Sequence, residues 1–302
     1  MASQDTRGRP VTAAEALTPG LRRQVADLRS AENEVRAQTP EAVHHFRVAT
    51  RRLRSGLAAF EPLLDARTCR TLVDDLRITA GEVAPAQDAG VVRRLVEAEV
   101  AGEGDPVAAR VHVRLVEYLE HREEQGWQQA VEHLDDPAYD DLTRSLERLV
   151  DLPPWAPTAH LPADDVLVPL LRSEWSRFRR RARAALEDLE VPTASDRLHE
   201  ARKASKRARH VAESLTDLLG RPAKRLARTA AEVQKALGGD QDQRLVQVFL
   251  REAQRDLTLT GLEALALADI RETGAAVAAT RHAELEVVLR GADKKSLRAW
   301  MR

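Results

Sequence analysis

Apolar residues recur with a helical period along nearly the whole chain, and this periodicity constrains the fold more than any other feature. Glycine and proline interrupt it where helices are expected to begin or end. Three starts place a capping side chain directly before a proline, at Thr39-Pro40, Asp105-Pro106 and Asp136-Pro137. Helix-favouring residues dominate the 302-residue chain, of which only 3% is aromatic. The sequence therefore predicts an all-α protein.

Prolines cluster at the midpoint of the chain. The segment from Leu152 to Asp165 has four prolines, too many for a continuous helix or a central strand. We therefore predict a boundary there between two helical halves. The predicted organisation is a polar N-terminal tail (1–14), a first helical bundle (15–151), a Pro-rich linker (152–165), a second helical bundle (166–290) and a C-terminal tail (291–302).

A basic segment occurs twice, once in each half. Residues 44–54 (HHFRVATRRLR) match residues 199–209 (HEARKASKRAR) at a shift of 155 residues. Both segments begin with histidine and have a cation three, seven, eight and ten residues later. Gln87-Asp88 recurs as Gln241-Asp242 at nearly the same shift. These matches indicate an internal duplication that produced two homologous bundles.

Most of the repeated cations share one face of their helix. At 100° per residue, the histidine and the cations at +3, +7 and +10 fall within about 80° and span about 15 Å. The opposite face holds small or apolar residues, which predicts that the cations point away from the core. We call these sets stripe 1 (His44, Arg47, Arg51 and Arg54) and stripe 2 (His199, Arg202, Lys206 and Arg209).

The net charge of −1 hides a strong local excess of positive charge. Ten lysines and arginines face only three carboxylates between residues 197 and 228. Like charges at helical spacings repel, and stripe 1 has no acidic residue beside it between Ala42 and Phe60. The missing negative charge should therefore come from outside the helix. The structural alternatives are a solvated helix face, or ion pairs with carboxylates such as Asp74, Glu82, Asp88 and Asp242.

The two basic segments resemble the paired signature of the CHAD family, the conserved-histidine α-helical domain, over roughly residues 15–290. The resemblance implies two four-helix bundles related by a pseudo-twofold axis, with a basic groove or pore between them that binds inorganic polyphosphate. Members of that family usually have a Gly-x-x-Arg-Asp turn. The corresponding segments of this chain are 84–88 (APAQD) and 238–242 (GGDQD), and both lack the arginine. We therefore assign no ligand contact to these two segments. The implied ligand-facing residues are His44, Arg47, Arg51, Arg52, Arg54, His199, Arg202, Lys203, Lys206, Arg207, Arg209, Lys224 and Arg228.

Two other classes of function compete with polyphosphate binding. Basic helices follow the backbone of nucleic acids, but these segments have few aromatic residues for stacking, and the isoelectric point is near 6.8. A phosphate-processing enzyme would need a Walker loop, clustered carboxylates for magnesium or a base–nucleophile pair, and none accompanies either histidine. The remaining histidines are scattered singly, so neither a metal nor a cofactor is predicted.

The ends of the sequence and its cysteine content suggest a location. The first ten residues are polar, and no segment approaches the ~20 apolar residues of a membrane span. The single cysteine, Cys69, permits no internal disulfide, which suits a reducing compartment. We therefore expect a cytoplasmic, non-catalytic binding module for inorganic polyphosphate, acting in solution or on polyphosphate granules.

Overall fold

A computed structural model describes residues 11–39, 41–98, 105–187, 194–268 and 282–301. Within these ranges the chain is helical apart from short connections and two isolated β-bridges, which confirms the all-α class. No helix of the described residues is both long and apolar enough to cross a membrane.

The helices are numbered in chain order. Helices α1 to α7 are Ala13–Arg36, Ala42–Phe60, Ala66–Glu82, Ala84–Ala98, Pro106–Leu134, Pro137–Asp151 and Ala163–Glu187. Helices α8 to α13 are Ala194–Ser214, Thr216–Leu219, Arg221–Ala236, Gly238–Asp256, residues 261–268 and His282–Gly291. Short 3-10 turns form at Glu61–Leu63, Pro157–His160, Lys295–Leu297 and Ala299–Met301.

Two of the three predicted helix starts are confirmed. Asp105 caps α5, where its side chain accepts a hydrogen bond from Val107 N at 2.8 Å. Asp136 caps α6 in the same way, accepting from Ala138 N at 2.7 Å. In both helices the proline occupies the first turn, where its missing N–H leaves no hydrogen bond unmade.

The predicted start at Thr39-Pro40 is wrong. Helix α2 begins at Ala42, and its N-cap is Glu41, which has a left-handed φ of 60° and makes no side-chain capping bond. Thr39 instead donates its hydroxyl to Glu34 O, at 3.4 Å, near the end of α1. The short connection between α1 and α2 reverses the chain through left-handed residues, and this geometry removes Thr39 from the capping position.

The described residues divide into two compact units. Unit 1 lies within 1–80, 136–237 and 284–302, and unit 2 lies within 81–135 and 238–283. Each unit therefore draws on both sides of the Pro-rich segment and does not coincide with one half of the sequence. The division into two homologous halves stays a prediction.

Helices α1, α2, α7, α8 and α10 contribute to the core of unit 1. Trp175 and Phe178 are among its largest buried side chains; they are 1% and 0% exposed and pack edge to face. The faces opposite the two stripes are buried, which confirms that α2 and α8 are amphipathic as predicted. These buried residues are Phe46, Ala49, Leu53, Leu57 and Phe60 on α2, and Ala201, Ala204, Ala208, Ala212 and Leu215 on α8 and at its end.

The Pro-rich segment is packed against unit 1 rather than extended as a loose linker. Its 3-10 turn buries Ala159 completely. Directly after that turn the backbone pairs with the residues around the start of α1: Ala13 N donates to Leu161 O at 3.0 Å, and Ala163 N donates to Val11 O at 2.8 Å. Helix α7 consequently begins at Ala163, within the range predicted as linker.

Both predicted tails are shorter than expected. Thr12 and Glu15 form a capping box, in which Thr12 Oγ1 accepts from Glu15 N and Glu15 Oε2 accepts from Thr12 N, so α1 begins at Ala13. At the other end, Ala292 and Leu297 are buried among the 3-10 turns that follow α13. Their burial places the residues after 291 in the core of unit 1.

Unit 2 includes α4, α5, α11 and α12. Helices α4 and α5 cross closely at Gly126, where a Cβ atom would lie 2.4 Å from Ala86 N, so only glycine fits. The core of the unit is aliphatic, with Val92, Leu115 and Leu250 at most 1% exposed.

Candidate anion-binding site

The two basic stripes lie on neighbouring helices of the same unit. Stripe 1 is on α2 and stripe 2 is on α8, and these helices contact each other within unit 1. Their exposure matches position by position: His44 and His199 are exposed, and the three cations that follow in each stripe are half-buried. The stripes do point away from the apolar faces as predicted, but they do not form a fully solvated surface.

Arg51 and Lys206, both at +7 in their stripes, lie at the centre of this arrangement. Arg51 is close enough to Arg202 and Arg209 of α8 for their charges to act on it. Lys206 in turn experiences the charges of α2 and of its own helix. We call the six cations involved the cationic cluster: Arg47, Arg51 and Arg54 of α2, and Arg202, Lys206 and Arg209 of α8.

The pKa values show how unfavourable the charges are in this environment. Burial, followed by the charges of nearby arginines, lowers the pKa of Lys206 to about 7. The same two causes, in the same order, lower the pKa of Arg51 to about 10. Burial also lowers the pKa of Arg54, helped by the charge of Arg77 on α3. Desolvation and like charges both disfavour the protonated form of a base, so each of these groups holds its proton less tightly than an exposed one does.

Counter-charges are missing at the centre of the cluster. Within the described ranges, no carboxylate lies at ion-pair distance from Arg51, Arg54 or Lys206. A half-buried cation without a carboxylate destabilises the folded chain, because water is partly removed and nothing replaces it. Titratable groups shifted in this way are characteristic of functional sites.

The carboxylate of Glu213 balances the charge of Arg209 at one edge of the cluster. Glu213 Oε1 accepts a hydrogen bond from Arg209 Nε at 2.7 Å, and Glu213 Oε2 lies 3.3 Å from His210 Nδ1. Burial alone would raise the pKa of Glu213, but the hydrogen bonds from His210 and Arg209 hold it at about 2. The i,i+4 spacing of Arg209 and Glu213 was a signal of this pair in the sequence.

Arg207 connects three helices. Its Nη2 donates to Ala58 O of α2 at 2.8 Å. Its Nε lies 2.8 Å from Oε2 of Glu174 on α7, an ion pair in which the two atoms are not aligned as a hydrogen bond. Glu174 is only 5% exposed, so this pair fixes the position of α8 against α2 and α7. No sequence pattern indicated Glu174 as the partner, because the two residues belong to different helices.

Four further predicted site residues are not among the six cluster cations. Lys203 is exposed and its Nζ lies 3.0 Å from Glu200 Oε1. Lys224 and Arg228 are exposed on α10, and Arg52 is half-buried on α2. The structure brings α2 and α8, which carry the two stripes, into contact, and the role of these four cations stays a prediction.

Several expected acidic partners have other roles. Asp74 lies 3.6 Å from Arg77, and Glu82 accepts from Gln129 Nε2 at 3.0 Å. The side chain of Asp242 lies outside the described residues. In the part of the chain that the structure covers, no group of three or more His, Cys, Asp or Glu is arranged to hold a metal ion.

His45 lies off the stripe, as its position 100° from His44 predicts. Its Nδ1 is 2.7 Å from Glu34 Oε2 of α1. His44 stays exposed at the head of stripe 1, and burial is the main reason that its pKa is lowered, against the opposing charge of Glu41.

Comparison with solved structures supports the fold. The chain superposes on PptA from Streptomyces chartreusis with a TM-score of 0.70, covering 97% of this chain and 100% of that one at 20% identity. It also superposes on the crystal structure of the CHAD domain from the plant Ricinus communis with a TM-score of 0.67, covering 100% of this chain and 94% of that one at 20% identity. At this identity the likeness concerns the fold.

Sequence comparison identifies the family. Two uncharacterised proteins of Mycobacterium tuberculosis, MT2285 of strain CDC 1551 and Rv2226 of strain H37Rv, are each 26% identical over 296 residues, which is 94% of this chain. The chain spans 54% of the length of these relatives. The family model of the CHAD domain matches residues 20–251, a range that includes both basic stripes. The chain belongs to the CHAD domain family.

Proposed function

We propose that this chain is a non-catalytic binding module for inorganic polyphosphate, and that the cationic cluster and the two stripe histidines contact the ligand. One observation carries the proposal: Arg51, Arg54 and Lys206 are half-buried with no carboxylate at ion-pair distance in the described residues. A bound polyanion would remove the cost of holding these charges together. The family membership is consistent with this ligand, as the sequence resemblance implied.

The chemistry of the cluster suits a linear phosphate chain. Polyphosphate repeats a negative charge at every unit and offers neither a base nor an apolar surface. Arginine presents a planar fork of donors to phosphate oxygens, and five of the six cluster cations are arginines. Apart from the two histidines, the stripes have no aromatic ring on which a base could stack, which favours polyphosphate over single-stranded nucleic acid.

The arrangement of the stripes supports a shared site. The two +7 positions, Arg51 and Lys206, are close enough for their charges to interact, so one ligand segment would contact α2 and α8 at once. This pairing of equivalent positions is what a pseudo-twofold axis and a basic groove would produce. We propose that Arg52, Lys203, Lys224 and Arg228 extend the positive surface, and that Arg207 positions α8. Binding to polyphosphate granules would use the same surface.

A charge-reversal experiment tests the proposal. The double variant Arg51→Glu/Lys206→Glu should bind long-chain polyphosphate at least about 100-fold more weakly, because two charge-assisted contacts become repulsive. The matched control is Lys224→Glu/Arg228→Glu, which changes the same charge on exposed residues of α10 and should lower affinity by less than about fivefold. Titration calorimetry at fixed salt measures both, and circular dichroism checks helical content.

The outcomes separate the alternatives. Equal losses in both variants would mean that affinity comes from the general positive field and not from the cluster. Unchanged affinity in the first variant would exclude the cluster as the site. If duplex or single-stranded DNA binds as tightly as polyphosphate of equal charge, nucleic acid becomes the better candidate. For either polyanion, log Kd should rise linearly with log salt concentration.

A further inference from the structure

A second positively charged pocket occurs in unit 1, built from elements other than α2 and α8. One wall is the face of α7 that carries Arg172, Trp175, Ser176 and Arg179, and the other is formed by the 3-10 turns at residues 295–299. Arg172, Ser176 and Arg179 stand at i, i+4 and i+7, so they share one side of the helix. The opposite wall contributes Lys295 and Arg298.

The charges around this pocket are not balanced. Asp293 binds three guanidinium groups: Arg179 Nε at 2.6 Å, Arg183 Nε at 2.8 Å and Arg298 Nη1 at 3.1 Å. Burial alone would raise the pKa of Asp293, but the hydrogen bonds from these arginines lower it to about 2. One carboxylate neutralises one of the three positive charges, so an excess of two remains beside the pocket.

The other two cations add to this excess. Arg172 and Lys295 are exposed, and neither has an ion-pair partner among the described residues. None of the side chains that line the pocket is acidic. The pocket therefore presents positive charge from both of its walls.

The neutral groups of the pocket are also donors. Trp175 is only 1% exposed, and its indole Nε1 has no hydrogen-bond acceptor within the described part of the chain. An indole N–H donates and cannot accept, so a buried one is unfavourable until an acceptor reaches it. Ser176 adds a hydroxyl one residue further along the helix. Together these groups form a donor set that suits a compact anion rich in acceptor oxygens.

We propose that this pocket is a second anion site, which binds a terminal phosphate group through Arg172, Lys295, the Asp293-linked arginines and the indole N–H of Trp175. The group would come from a small phosphorylated molecule or from the end of a polyphosphate chain. The pocket shares no residue with the cationic cluster, so this site does not depend on polyphosphate binding there. The pocket lies at the surface of unit 1, where the side chains of Arg172, Ser176 and Lys295 are exposed.

The experiment uses inorganic pyrophosphate as the probe and the full chain. The double variant Arg172→Gln/Lys295→Gln should weaken pyrophosphate binding at least about 30-fold in titration calorimetry, because two charged contacts are lost. The matched control, Arg180→Gln/Lys294→Gln, removes the same charge from exposed neighbours that do not line the pocket. That control should bind within about twofold of the parent.

A second variant tests the indole. Trp175→Phe keeps an aromatic ring in the core but removes the donor together with part of the ring volume, and it should lower pyrophosphate affinity about tenfold with helical content unchanged. Equal affinity in the parent, the Arg172/Lys295 variant and the Trp175→Phe variant would overturn the proposal. So would loss of pyrophosphate binding in Arg51→Glu/Lys206→Glu with binding retained in Arg172→Gln/Lys295→Gln, because the probe would then occupy the cationic cluster.

Long-chain polyphosphate distinguishes the two sources of the phosphate group. If Arg172→Gln/Lys295→Gln weakens both probes, the pocket holds the end of a chain. If only pyrophosphate is affected, the pocket selects a small phosphorylated molecule. Both results support the site. The variant Arg51→Glu/Lys206→Glu should retain pyrophosphate binding, which would show that the pocket binds pyrophosphate independently of the cationic cluster.

Discussion

The arginines of unit 2 and those of the cationic cluster in unit 1 have opposite electrostatic surroundings. In unit 2 it pairs with glutamate: Arg93 Nε lies 2.8 Å from Glu123 and its Nη1 lies 2.7 Å from Glu97, and Arg122 Nη2 lies 3.3 Å from Glu252. In the cationic cluster of unit 1, arginines are placed beside a lysine and beside each other, with no carboxylate at the centre among the described residues.

Arginines that are paired with glutamate stabilise the fold, whereas half-buried cations without a carboxylate destabilise it. The pairs of unit 2 balance charge within the chain, so they need nothing from outside. The cluster lacks that balance, and the folded chain holds it only because the apolar faces of α2 and α8 are well buried. A region that is locally unfavourable in an otherwise satisfied structure is a strong indication of a ligand site.

The largest expected effect is on pH dependence. Lys206 has a pKa of about 7 in the free chain, against 10.5 for an ordinary lysine, and a bound polyanion would raise it. At a pH between the pKa of Lys206 in the free chain and its higher pKa in the complex, binding takes up a proton. Affinity for the polyanion is therefore highest at or below neutral pH. Above pH 7 it falls by up to about tenfold per unit. Calorimetry at pH 8 in buffers of different ionisation enthalpy should detect the proton uptake.

A conservative variant isolates the lysine. Lys206→Arg keeps the charge at all working pH values, so its affinity should vary less between pH 7 and 9. Since His44 has a lowered pKa, it titrates below this window and does not account for the slope. An identical pH slope in the parent and in Lys206→Arg would show that another group takes up the proton.

The next effect is on stability, with opposite signs in the two units. Lys206→Met should raise the free energy of unfolding at pH 7 by about 1–2 kcal/mol, after allowance for solvent around a half-buried group. Arg93→Met should lower it by about 1 kcal/mol, since two glutamates lose their partner. Urea unfolding measures both changes.

The pH dependence of stability provides the control. The folded pKa of Lys206 lies below the unfolded value, so the unfolded chain binds more protons between pH 7 and about 10 and stability rises with pH in this window. The increase in the free energy of unfolding caused by Lys206→Met should therefore be largest near pH 6 and should vanish near pH 10. If Lys206→Met instead lowers the free energy of unfolding at pH 6, the charge of Lys206 stabilises the folded chain. The cationic cluster would then not differ from the ion pairs of unit 2 in the way described above.

The smallest effect concerns the carboxylate at the edge of the cluster. Glu213→Gln removes the negative charge that Arg209 and His210 share, and leaves both free to turn toward a ligand. Polyphosphate affinity should rise about two- to threefold, because one repulsive charge is removed at partial exposure. A fall in affinity by calorimetry would instead assign Glu213 the task of orienting Arg209 for the ligand.

Much of the fold follows from local patterns in the sequence. The helical period predicts the all-α class, and Asp105 and Asp136 cap their helices because aspartate before proline satisfies the first turn. The repeated offsets also predict which faces of α2 and α8 are buried. These features depend on residues within a few helical turns of each other, and sequence periodicity predicts structure over that distance.

The assembly of the site depends on contacts between distant segments. The sequence predicts one stripe in each half of the chain, but it does not indicate that α2 and α8 contact each other within one compact unit. The pair between Arg207 and Glu174 and the close crossing at Gly126 join different helices, and no spacing rule connects them. The left-handed Glu41 also has no local signal, because glycine or asparagine usually takes that conformation.

The backbone pairing of Val11 with Ala163 and of Ala13 with Leu161 affects how the chain folds. Unit 1 combines three distant stretches of sequence, the last of which begins at residue 284. Contacts of such high sequence separation require large loops to close first, which slows folding relative to a bundle of successive helices. During synthesis, α2 therefore leaves the ribosome well before α8 and the residues after 284, so the surface that carries stripe 1 is completed only when the last part of the chain has been made.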